Sequence, residues 1–92
     1  MSDNRVWVFH AEGARFSGGV FTTRESAERW IRTNELTGVL TAYPLDRGVF
    51  DWAREEGYFA PKKLFTAGMI GGFTSAHQEH YHYTRGVTGE DE

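Results

Sequence analysis

At 92 residues the chain is long enough for one domain with a small core. It has no cysteine, which excludes disulfides and cysteine-ligated zinc, so its stability rests on apolar packing, with seven Phe, four Tyr and three Trp to supply it. A net charge of −3 with scattered Lys and Arg argues against a nucleic-acid surface, and no apolar run approaches the ~20 residues of a membrane-spanning helix.

Residues 1–5 have neither the basic flank nor the apolar run of a signal peptide, so a soluble, cytoplasmic protein is expected. Residues 5–10 are β-branched and aromatic and predict a strand that is apolar on both faces until His10. A turn at 11–14 leads into a second strand over 15–21, antiparallel to the first; Gly18-Gly19 within it marks a bulge or a close backbone approach. Thr22 with Glu25 three residues on forms a capping box, and Ala27, Trp30 and Ile31 define the inner face of a helix ending near Asn34 or Glu35. Residues 39–43 predict a third strand, stopped by Pro44. Asp46 is placed to cap a second helix over 47–56 whose inner stripe is Val49, Trp52 and Ala53, with Gly57 as its left-handed stop. Residues 60–73, with Pro61, Lys62-Lys63 and three glycines, read as a mobile loop. Ser75 and Gln78 suit one short helical turn before a last strand over 79–84.

The order β-β-α-β-α-β predicts the α+β class: a small, mostly antiparallel sheet of about four strands with two helices packed on one face. The domain is expected to span 1–86, followed by an acidic disordered tail over 87–92. In this picture Trp7, Trp30 and Trp52 are core residues.

Across nearly the whole chain the residues resemble an uncharacterised family of small bacterial single-domain proteins. The resemblance is carried by Val20-Phe21-Thr22-Thr23, by the run from Leu40 through Tyr43-Pro44 to Asp46, and by Asp51-Trp52-Ala53. Gly57-Tyr58-Phe59, Phe73-Thr74-Ser75-Ala76 and the run from Gln78 to Tyr83 complete it. It implies a stand-alone bacterial domain and no particular chemistry, so no functional residue is transferred from it.

Candidate chemistry gathers in residues 77–83, which hold three of the four histidines. On a strand, His80 and His82 share one face, while Glu79, Tyr81 and Tyr83 share the other. A His-x-His pair is a metal-ligand spacing, and His10 is the remaining histidine outside the cluster that could complete such a site. The alternative chemistry is acid–base catalysis by His80 or His82 with a carboxylate such as Glu12, Asp46 or Asp51 brought close by the fold. Nucleophilic and phosphate-loop motifs are absent. These signals are weak, and the favoured expectation is a binding protein, inhibitor-, immunity- or adaptor-like, that covers a protein partner and needs no cofactor or metal. Its expected contact residues are Gln78, Glu79, His80, Tyr81, His82, Tyr83 and Arg85, with Arg15, Tyr43, Tyr58 and Phe59 as further anchors.

Overall fold

Alternation in the first strand decides the architecture. In Arg5–Ala11 (β1), Trp7 and Phe9 are buried on one side, whereas Val6 and Val8 on the other are not. The computed structural model describes residues 4–58 and 66–89. Its elements are β1, Gly19–Phe21 (β2), helix Arg24–Thr33 (α1), Gly38–Pro44 (β3), helix Val49–Glu55 (α2), helix Ala67–Gly71 (α3), His80–Thr84 (β4) and Val87–Thr88 (β5). The strands form one antiparallel sheet in the order β2-β1-β3-β4-β5, so the fold is α+β with five strands. Register stacks large side chains on a single face: Trp7 lies beside Ala42 and Phe21, Phe9 beside Leu40, and Leu40 beside Tyr81.

Helix α1 covers that face. Its buried Ala27 and Ile31 join Trp7, Phe9, Leu40, Ala42 and Tyr83 in one cluster, and the half-buried Trp30 packs against it. Trp30 meets Phe9 edge-on at 5.7 Å and Phe21 at 5.4 Å. Gly19 is a close approach: a Cβ there would lie 3.2 Å from the Trp30 ring. The cap falls on Thr23 instead of Thr22, because the Thr23 hydroxyl accepts from Ser26 N–H at 3.1 Å and Ser26 returns a bond to the Thr23 carbonyl. Asn34 closes the helix by donating its side-chain amide to the Trp30 carbonyl.

Other expectations are corrected. The second strand is three residues long, not seven, because His10 ties down the preceding loop through bonds to Ala14 and Ser17. Helix α2 begins at Val49 behind Gly48; Asp46 sits at φ 64° in the preceding turn and caps nothing. Its buried residues are Phe50 and Ala53, so the inner face is rotated one position from the expected Val49 and Trp52. Phe50 meets Phe73 edge-on at 5.6 Å, and Trp52 lies half-buried against Tyr58, outside the cluster under α1. Gly57 takes the expected left-handed conformation, φ 81°.

Part of the expected loop is helical, since Thr66 caps α3 through a bond to Met69 N–H. Residues 75–78 form a hydrogen-bonded turn, in which Gln78 N–H reaches Ser75 O and the Gln78 side chain accepts from Ser75 N–H. The sheet also continues past the expected boundary at residue 86. Arg85 and Gly86, both at positive φ, make a two-residue hairpin that returns Val87 and Thr88 to β4. Phe59, Pro61 and Lys62-Lys63, with the acids at 90–92, lie outside the described residues.

Candidate binding surface

Strand β4 divides the expected contact residues between two faces. On the helix-covered side they are tied into a continuous polar network. Tyr83, 3 % exposed, donates its hydroxyl to Glu28 on α1 at 2.6 Å. Arg24 pairs with the same carboxylate at 3.1 Å and lays its guanidinium 3.6 Å from the centre of the Tyr81 ring. The Tyr81 hydroxyl donates to Glu79, and Glu79 pairs with Arg5 at 2.8 Å. Arg5 in turn lies over the Trp7 ring. Burial, followed by the Glu28 carboxylate that its O–H serves, pushes the Tyr83 phenol well above its usual range. The Tyr81 hydrogen bond holds the Glu79 carboxyl below its usual value, burial opposes this, and Arg5 adds to the lowering. Gln78 is buried as well, with its amide N–H donated to the Ala42 carbonyl at 3.1 Å. Gln78, Glu79, Tyr81 and Tyr83 therefore bind β4 to β1, β3 and α1.

The histidines stand on the opposite face. His80 and His82 are exposed, their rings edge to face with centres 5.4 Å apart. His80 Nδ1 is 2.7 Å from the Gln78 carbonyl, which can only accept, so Nδ1 is the donor in this contact. His10 is on this face too, but Val39 separates it from His82 in the register, leaving them about two strand spacings, ~10 Å, apart. Its Nε2 donates to Ala14 O at 2.6 Å. The sheet does not bring His10, His80 and His82 to a common point, and no group of three or more His, Asp or Glu among the described residues is arranged to hold a metal.

No histidine among the described residues pairs with a carboxylate. A cavity of about 620 Å³ lies at the far end of β3 between Arg5, Tyr43, Leu45, Trp52 and Glu79, and no histidine lines it. A depression of about 560 Å³ at the other end of the sheet holds His10, His82 and Glu12, with His10 already committed to Ala14. Asp46 and Asp51 are exposed, and neither is paired with a histidine among the described residues. Arg85 occupies the hairpin, where its backbone N–H bonds Thr37. Tyr58 stacks on His77, ring centres 4.1 Å apart, and Arg15 is exposed in the β1–β2 loop.

Around the histidines lies a surface that the motif reading overlooked. The open face carries Val6, Val8 and His10 from β1 and Val20 from β2. Strand β3 adds Val39, Thr41 and Tyr43, and β4 and β5 add His80, His82, Thr84 and Val87. None of these is buried, and none is Asp, Glu, Lys or Arg. The available signal was the contrast within Val6-Trp7-Val8-Phe9, where small β-branched residues alternate with large rings.

These features define a two-layer α+β protein in which one sheet face is buried beneath α1 and the other stays at least partly exposed among the described residues. Among the described residues no helix is long and apolar enough to cross a membrane. Residues 6–89 match the family described as a domain of unknown function (DUF7710), and the chain belongs to that family. No curated protein and no solved structure matches the chain.

Proposed function

We propose that this is a small binding protein, inhibitor-, immunity- or adaptor-like, that works by covering a surface of another protein in a bacterial cytoplasm. Its contact surface is the open sheet face centred on Val8, Val39 and Thr41 and bordered by His80 and His82. The observation that supports this is the asymmetry of one sheet. The same strands bury Trp7, Phe9, Leu40, Ala42 and Tyr83 beneath α1, yet leave every residue of the other face at least partly exposed. An apolar-centred face of this extent is uncommon on a protein that meets only water. Because the face holds no Asp, Glu, Lys or Arg, the partner it fits presents a largely apolar surface, with Tyr43, His80 and His82 supplying hydrogen bonds at the border. Catalysis is disfavoured by the histidines' position on an open sheet with no carboxylate bonded to them.

The test uses the purified full chain as bait in an extract of its host, with capture compared between wild type, Val8→Lys, His82→Asp and the helix-surface variant Arg29→Ala. A stoichiometric protein partner retained by wild type and Arg29→Ala and lost from both face variants is expected. Equal capture by all four proteins would sink the reading, as would hydrogen-exchange protection by the partner that falls outside the sheet face.

A further inference from the structure

The open face also suggests what covers it when no other partner is bound. Resting on the reading of that face as a contact surface, we propose that it pairs with the same face of a second copy of this chain, making a two-fold dimer of stacked sheets. Charge is the first argument. Besides the three acids at 90–92 that make up its −3, the chain carries ten acidic and ten basic residues, and a surface that holds them meets like charges where it pairs with its own copy across a two-fold axis. The open face has no Asp, Glu, Lys or Arg, and self-pairing there carries no such repulsion.

The second argument is layout. The central strands β1 and β3 supply Val6, Val8, Val39 and Thr41, while His80 and His82 lie towards one border, reproducing the apolar centre and polar rim of a protein interface. β-branched side chains on two such sheets interdigitate at a separation of about 10 Å. Edge-to-edge pairing offers far less, because the edge strands β2 and β5 hold three and two residues.

The third argument is size. At about 3.4 Å per residue and 4.8 Å between strands, the sheet presents on the order of 400 Å² in plan. The pleated surface is larger than its plan, so two copies together bury on the order of 1,000 Å², the lower limit for a specific interface. An interface at that lower limit fits a weak, reversible dimer, one that a better-fitting partner can displace.

Sedimentation equilibrium of the full chain, run from about 1 to 500 µM, tests this. The expected result is a rise from one chain mass to two, with Val8→Lys raising the dissociation constant at least tenfold and Arg29→Ala leaving it unchanged. Circular dichroism checks that Val8→Lys is folded, and Val39→Lys serves if it is not. A single-chain mass at the highest concentration overturns the proposal, as does a dimer indifferent to both lysine variants. If the chain is monomeric while Val8→Lys still abolishes capture of another protein, self-pairing alone fails. If a Val8-dependent dimer forms while partner capture ignores Val8→Lys, the functional reading fails and the dimer stands.

Discussion

Replacing Tyr83 by Phe removes one oxygen from the junction between β4 and α1 and leaves the ring in place. The lost hydroxyl is buried and donates to a carboxylate at 2.6 Å. Hydrogen bonds to charged groups contribute about 1.5–3 kcal/mol, but Glu28 keeps Arg24 at 3.1 Å, so the cost falls near the lower end, about 1–2 kcal/mol. For a domain of this size that lowers Tm by roughly 5–10 °C at pH 7. Alkali supplies a second, independent readout. The folded-state pKa of Tyr83 is raised, so its contribution is fully present below the unfolded phenol value of ~10 and is lost as pH rises above it. Above that point the unfolded chain releases a proton that the folded chain holds, and wild type loses about 1.4 kcal/mol per pH unit that Tyr83→Phe does not. The gap between the two proteins therefore narrows towards pH 11. Thermal unfolding followed by circular dichroism from pH 7 to 11 measures both effects. Equal Tm at pH 7 with parallel curves up to pH 11 would show that the Tyr83–Glu28 contact does not support the fold.

Three further outcomes are expected. Gly38→Ala puts a Cβ 2.4 Å from the His10 carbonyl oxygen and 2.8 Å from Ala11 Cα, so it should destabilise by more than about 2 kcal/mol in urea titration; a change within error would place β1 and β3 further apart than described here. Trp30→Ala should cost about 3 kcal/mol and Trp52→Ala clearly less, because Trp30 packs on Phe9 and Phe21 against the main cluster while Trp52 has Tyr58 outside it; the reverse order would contradict the packing. The folded-state pKa of Glu79 is lowered, so its contribution is present above the unfolded carboxyl value and fades as pH falls through the folded one. Glu79→Gln should accordingly shrink the acid-side loss of Tm between about pH 5 and 3, an effect kept small by solvent screening and absent if the Arg5–Glu79–Tyr81 contacts do not form.

Much of this fold was legible locally. Strand and helix types follow from patterns that neighbours along the chain enforce: β-branched and aromatic runs in β1 and β3, the i, i+3, i+4 spacing of Ala27, Trp30 and Ile31, and the glycine stop after α2. The two-residue periodicity of β4 likewise placed His80 and His82 on one face and Tyr81 and Tyr83 on the other before any packing was known. What the chain could not disclose locally is which of those faces meets something. Tyr83 reaches Glu28, 55 positions away, and Arg5 reaches Glu79 across 74, and both contacts depend on strand order and helix placement. The same dependence rotated the buried side of α2 to Phe50, whose ring finds Phe73. It set His10 beyond Val39 from His82 as well, dissolving a three-histidine site that spacing alone allowed. Covering one face of the sheet with α1 turned four of the seven expected contact residues, Gln78, Glu79, Tyr81 and Tyr83, into supports of the fold. His80 and His82 joined five valines on a surface free of Asp, Glu, Lys and Arg, because burial depends on what packs against a strand and alternation determines only which residues share its fate.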